Sequence, residues 1–441
     1  MESAAATAGA PTRPRDASLR DALPLAIWVA LMIAAWAWGT AINEAGGRIG
    51  LGAPPLHGAW SLEVTPELAL PVLLGAAGVA VVPTLSRTLS WPALLWASTA
   101  GAVAWSLALA LTAGWGGVFD PLAQPSEYLA GVPFIGSPGE YLANFTDLLD
   151  AYPTHVRGHP PGFVLGLWGL DRVGLGGAEF ASLLVIIVAA SGIAATLVAG
   201  RAVAGEDWAR RAAPFLVLAP GAVWVATSAD ALYLGVGAWA VALTVLAIEA
   251  EGHRSTALAI GGGLVFALCA FLSYGLILLG FVPAAVALQR RNLRPILQVA
   301  QTVSAVVLVV WVATGFWWFA GLVEVRDQYL AGIAPSRPYD YFLLSNLAAF
   351  GLAAGPVLAV ALGRVRAGVP GWALPLGALA AIAVADLSGM SKAEVERIWL
   401  PFLPWALLAT GALASQRQRG VLLAAGVALA IAIETGVQVP W

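Results

Sequence analysis

The stretch Tyr152-Pro153-Thr154-His155-Val156-Arg157-Gly158-His159-Pro160-Pro161-Gly162 sets two imidazoles and a guanidinium beside three prolines. Imidazole gives or takes a proton near neutral pH, and guanidinium offers a two-pronged donor to phosphate. Just upstream, Glu127 and Asp120 supply carboxylates. Cations recur further on, in Glu324-Val325-Arg326-Asp327-Gln328-Tyr329 through Arg337-Pro338-Tyr339-Asp340-Tyr341, and in Lys392-Ala393-Glu394-Val395-Glu396-Arg397. Carboxylates in one place and Arg, Lys and His in three suit transfer between an acceptor hydroxyl and a phosphate leaving group. The carboxylate accepts the hydroxyl proton, and the cations hold the departing phosphate. The plainer reading is a set of solvated loops, with Arg397–Glu394 and Lys392–Glu396 as helical i,i+3 and i,i+4 pairs.

These groups have to be positioned by a chain that is otherwise made for hydrocarbon. Of 441 residues 60% are hydrophobic and 11% charged, and the mean hydropathy is +0.83. Soluble domains carry about 25% charged residues, so the composition implies a membrane protein and leaves no basic face for nucleic acid. The single cysteine, Cys269, excludes an intrachain disulfide and a cysteine zinc site. Trp occurs 19 times, as expected for interfacial belts. No transmembrane stretch carries a Gly-rich phosphate loop, a serine elbow or a metal-ligand pair at helical spacing, and no cofactor is expected. A need for a divalent metal is not readable from these residues.

Apolar runs of bilayer length divide the chain into about thirteen expected spans. They are 23–42, 68–85, 92–113, 163–173, 180–198, 213–225, 232–248, 257–288, 296–318, 343–362, 372–385, 398–413 and 421–437. The long run 257–288 is expected to break near Ser273-Tyr274-Gly275. Arg13, Arg15 and Arg20 in a disordered tail, residues 1–21, place the N-terminus in the cytoplasm. Residues 22–441 then form one transmembrane domain with outer loops at 114–160, 319–341 and 386–397, and the C-terminus lies outside. Within 114–160, Tyr141, Leu142, Phe145, Leu148 and Leu149 recur at helical spacing. That predicts helices on the outer leaflet, parted at Pro138-Gly139 and ended at Pro153, with Tyr141 and Phe145 facing lipid. Five crossings between His159 and Arg290 would leave Arg201, Arg210 and Arg211 outside, against the charge rule. Asp230, with Tyr233, is an intramembrane acid suited to a cavity or to a buried structural bond.

Glu127-Tyr128-Leu129, an amphipathic stretch, and then His159-Pro160-Pro161-Gly162 leading into a span resemble the GT-C glycosyltransferases, which include the aminoarabinose and protein O-mannosyl transferases. Asp207-Trp208-Ala209-Arg210-Arg211, Ser228-Ala229-Asp230-Ala231-Leu232 and Ala393-Glu394-Val395-Glu396-Arg397-Ile398-Trp399-Leu400-Pro401 fall in similar order, so the resemblance covers roughly 93–413. The loop after the first span lacks the acidic pair the family often carries there, and the loop after the third takes its place. The resemblance implies an all-α, polytopic, multi-pass cell-membrane enzyme with juxtamembrane helices. It would move a sugar, with inversion, from a polyprenyl-phosphate donor to an extracytoplasmic lipid, polysaccharide or protein acceptor. It further implies Glu127 as base, with Asp120 second, and His155, Arg157, His159, Arg397, Lys392 and Arg337 toward the donor phosphate. The alternatives are a transporter or flippase of lipid-linked glycan, and a non-catalytic membrane protein of envelope assembly.

Overall fold

In a bilayer every backbone polar group needs a partner within the protein, and a chain this apolar meets that demand with helices. The computed structural model describes residues 14–226, 228–366 and 368–439, and its strands amount to one short pair. Helices α1 (Pro14–Glu44), α2 (Ala69–Thr88) and α3 (Trp91–Ala110) come first. The first begins at Pro14, inside the stretch expected as a tail; residues 1–13 lie outside the described part. Strand β1 (Ala59–Trp60), in the loop after α1, pairs antiparallel with β2 (Val437–Gln438), Ala59 opposite Gln438.

The loop after α3 holds α4 (Gly114–Ala123), α5 (Pro138–Asn144) and α6 (Thr154–Arg157), with a 3-10 segment over Tyr128–Phe134. Pro138 opens α5, and Ser137 Oγ accepts from Glu140 N. The expectation that Tyr141 and Phe145 face lipid is corrected: both are buried, packed on Tyr152, and Phe145 meets Phe316 at 5.7 Å. The apolar stripe is real, but it closes the loop onto the bundle instead of onto the leaflet.

Next comes α7 (Gly162–Arg172), only 11 residues. It rises about 16 Å, half the hydrocarbon core, so 163–173 is not a full-length span. Gly162 is required there, because a Cβ would sit 2.4 Å from Phe271 O. Then follow α8 (Ala178–Ala204), α9 (Glu206–Val217) with a 3-10 turn at Pro220–Trp224, α10 (Asp230–Glu249) and α11 (Gly252–Leu272). A 3-10 segment, Tyr274–Gly280, leads to α12 (Phe281–Arg290), so the chain breaks where the sequence suggested. The two halves run in opposite directions: Arg290 Nε bonds Glu249 at 2.7 Å and Arg290 NH2 donates to Val203 O at 3.1 Å. Residues 257–288, read as one span, therefore go out and back. Arg201 and Arg210 then fall at the same end as Arg290, and Arg210 donates to Ser86 O beside Arg87. The conflict with the charge rule came from counting α7 as a crossing.

The remaining helices are α13 (Arg294–Thr314), α14 (Trp318–Ala331), α15 (Tyr339–Ala354), α16 (Pro356–Leu362), α17 (Ala373–Leu387), α18 (Val395–Ile398), α19 (Leu403–Leu407) and α20 (Gln416–Gly436). The expected loop 319–341 is thus largely helical. Between α15 and α16 the axis bends by 101° at Gly355, whose φ of 74° favours glycine. Among the described residues eight helices are long and apolar enough to cross a membrane, nine if this bent pair is one span. Several other expected spans, 213–225 and 398–413 among them, are built from short helices joined by 3-10 turns.

The apolar window of α10 is 78% buried, against 11% in α1, α2 and α13, so α10 is central and those three present apolar faces to lipid. Asp230 opens α10 at the end of the bundle where the loop 114–160 folds down.

Candidate active site

Glu127 and His155 are brought together by a backbone bond, His155 N to Ser126 O at 2.9 Å, which ties α6 to the strand-like turn before Tyr128. Glu127 Oε1 lies 2.6 Å from His155 Nδ1. On the other side of the ring, His155 Nε2 lies 3.3 Å from Arg397 NH2. Guanidinium only donates, so Nε2 accepts there, while Nδ1 is buried close beside Glu127 without forming a hydrogen bond to it. Glu127 Oε2 is buried and has no partner among the described residues.

Arg397 reaches this point from α18, far along the chain. It bonds Asp230 at 2.7 Å through NH1 and Glu394 through NH2, and Ser228 Oγ donates to Asp230 at 3.2 Å. Two carboxylates thus bond one guanidinium, and Glu127 adds its charge from nearby. Burial would lower the Arg397 pKa, but Glu394, Asp230 and Glu127 outweigh it and hold the group charged. For Glu394 burial pushes up, and Arg397 and His57 push down further, to about 2. Ala393 and Glu394 adopt φ of 73° and 61°, left-handed values that cost non-glycine residues energy. The strain turns the Glu394 carboxylate back onto Arg397.

His159 Nδ1 lies 3.0 Å from His155 O and donates to it. Burial lowers its pKa to about 4, so the ring is neutral at pH 7 and its Nε2 can only accept. The Tyr128 ring packs against His155 and His159, and Tyr233 donates to Tyr128 Oη at 3.0 Å. From the loop after α1, His57 N donates to Glu396 Oε1 at 2.8 Å, while burial raises the Glu396 carboxyl to about 7. Among these groups the imidazole edge of His155, with 20% of its side chain exposed, is open where Glu127 at 3% is not.

No family model matches this chain, and no curated protein does. Among solved structures it is similar to the Archaeoglobus fulgidus oligosaccharyltransferase in complex with Zn and sulfate, with 13% identity and a TM-score of 0.48. The match covers 79% of this chain and 54% of that one, so this chain spans about half that protein's length.

Of the residues singled out from sequence, Glu127, His155, His159 and Arg397 meet in one cluster, and Asp230 joins them through Arg397. The others do not. Asp120 is exposed on α4 with no bond to the cluster. Arg157 is half-buried on α6 and forms no ion pair among the described residues. Lys392 donates to Ala334 O and Arg337 O at 3.0 and 2.9 Å, and Arg337 donates to Ile49 O at 3.1 Å and to Lys392 O. Those two cations fasten loops together. The expected Lys392–Glu396 pair is absent, because Glu396 faces His57, whereas the expected Arg397–Glu394 pair is present. Sequence reasoning gave no role to His57, or to Tyr128 and Ser228 although both stand in the motifs quoted above. Tyr128 and Ser228 stand close to the acids Glu127 and Asp230 in the chain, but only proximity in space shows what they bond, and nothing beside His57 marks it at all. Among the described residues no set of three or more His, Cys, Asp or Glu side chains is arranged to hold a metal ion.

Proposed function

We propose that this membrane protein transfers a sugar from a polyprenyl-phosphate donor to an extracytoplasmic lipid, polysaccharide or protein acceptor. The observation that carries the reading is Glu127: one oxygen lies 2.6 Å from His155 Nδ1 and the other is buried with no partner among the described residues. A carboxylate so placed is poised to receive a proton. In the reaction the acceptor oxygen attacks the anomeric carbon, the bond from that carbon to the phosphate oxygen breaks, and polyprenyl phosphate leaves. The hydroxyl proton passes to Glu127 Oε2. A single displacement inverts the anomeric centre.

His155 fixes the orientation of Glu127, and His159, bonded to the carbonyl of His155, holds α6 in register. Neutral His159 offers an acceptor, which suits positioning and not phosphate binding. Arg397 is already surrounded by acids, so its charge mainly offsets theirs. Arg157 is the cation on α6 with no acid partner, and we assign the donor phosphate to it.

Incubation of the purified protein with a panel of polyprenyl-phosphate sugars tests the reading. Release of polyprenyl phosphate that is lost in Glu127→Gln supports it. Arg-dependent movement of lipid-linked glycan across liposomes without release would replace it with transport.

A further inference from the structure

The end of the bundle remote from Glu127 carries a second cluster of charge. There α2, α9 and α20 border a cleft of about 390 Å³ lined by Arg87, Asp207, Arg210, Arg211 and Arg419. Elsewhere at this end the arginines find acids: Arg201 meets Glu206 at 3.0 Å and Arg290 meets Glu249 at 2.7 Å. Inside the cleft only Arg210 does, at 2.6 Å from Glu206. Arg87 and Arg211 form no ion pair among the described residues, and Arg211 Nε is buried without a partner. Arg419 donates to Leu413 O and Ala414 O at 2.6 and 3.0 Å, both neutral. Three guanidinium groups without a carboxylate partner thus face a single acid, Asp207.

Like charges so gathered oppose folding unless an anion sits between them. The first turn of α20 borders the same cleft through Gln416 and Arg419, and its helix dipole adds positive potential. Below the arginines the wall turns apolar, with Val79, Phe215 and Leu423.

We propose that this cleft is a binding site for a phosphate group, independent of the reaction at the other end. The forked guanidinium groups take the phosphate oxygens. The apolar wall fits the glycerol and upper tail of an anionic phospholipid from the leaflet at this end, while the chemistry at the arginines is the same for free phosphate.

The full chain, purified in detergent, is offered phosphatidylglycerol, phosphatidylcholine or inorganic phosphate, and retention is read by native mass spectrometry and thermal shift. Phosphatidylglycerol is expected to be retained over phosphatidylcholine. Arg87→Gln or Arg211→Gln is expected to weaken retention about tenfold each, while Arg326→Gln, exposed on α14, leaves it unchanged. If inorganic phosphate displaces the lipid, the phosphate alone carries recognition; if not, the tail contacts share it. Arg211→Lys keeps the charge and removes the fork, so weaker retention in that variant carries the test should a Gln variant unfold. Equal retention of both lipids with no effect of phosphate, or binding untouched by all three substitutions, overturns the proposal.

Discussion

At Glu127 the two carboxylate oxygens have unlike settings, and this asymmetry makes the residue testable. Glu127→Gln keeps the shape and the contact with His155 but removes the base. Turnover should fall roughly a hundredfold to ten-thousandfold, with donor binding little changed. Asp120→Asn, far from the cluster in contact terms, should leave turnover intact; the reverse pattern in a single-turnover assay would move the base to Asp120. Arg397 belongs to a different class, since its removal leaves Glu127, Asp230 and Glu394 facing one another. Arg397→Ala should cost about 3–5 kcal/mol of stability. Adding Glu394→Gln should recover part of it, measured by unfolding in detergent. If instead Arg397→Ala unfolds like wild type and only binds donor poorly, the guanidinium is a substrate group. Glu396 gives a pH signature of its own. Its folded pKa of about 7 exceeds the unfolded value, so its contribution is full below about pH 4.5 and is lost as pH rises to 7. Glu396→Gln has no such loss and should therefore be more stable than wild type by about 1–2 kcal/mol at pH 8. The gap should narrow at pH 5 and close below about pH 4. The sequence made Glu127, His155, His159 and Arg397 legible, because such groups stand out in an apolar chain. It did not reveal that Arg337 and Lys392 spend their donors on carbonyls, since nothing in a charge's identity tells which partner it meets.

At the level of elements, composition marked nearly every long helix, and it erred where length and direction separate. The run 257–288 is apolar throughout, so no change in hydropathy betrays the reversal between α11 and α12. What betrays it is Ser273-Tyr274-Gly275, a break the sequence shows without saying which way the chain then turns. Conversely, 163–173 looks like a short span because α7 is apolar. It is short because it lies against α11, with Gly162 on Phe271 O, and serves as a platform for the loop before it. That platform is the element-level prediction. Gly162→Ala should force α7 and α11 apart by an ångström or more and shift His159, while the ion pairs at Arg397 stay formed. Such a displacement is expected to cost about a hundredfold in turnover, with a smaller effect on thermal stability. If turnover is unchanged although the fold is retained, α7 does not position the site.

For the whole molecule, the ends of the helices sort by charge. Asp21 with Arg364 and Gln418, Ser86 with Arg210, and Val203 and Glu249 with Arg290 bring eight helix ends and their arginines to one side. Glu127, His155, Asp230 and Arg397 lie at the other, with the β1–β2 pair closing the last helix onto the loop after α1. Positive charge collects on the cytoplasmic side of membrane proteins, so the arginine end should face the cytoplasm and the Glu127 end away from it. Single cysteines report this directly, because the native Cys269 is buried and should give little background. Ser137→Cys and Ser336→Cys, both exposed near the cluster, should react with an impermeant maleimide added outside intact cells. Thr88→Cys and Arg417→Cys, exposed at the arginine end, should react only after the membrane is opened. The opposite pattern would turn the molecule over. Glu127 would then meet the cytoplasm, where nucleotide-linked sugars are at hand, and the case for a lipid-linked donor would lose its reason. Labelling of all four from one side would mean that Ala178–Arg290 does not thread the bilayer as α8 to α12 do here, and the proximity of Arg397 to Glu127 would have to be rebuilt.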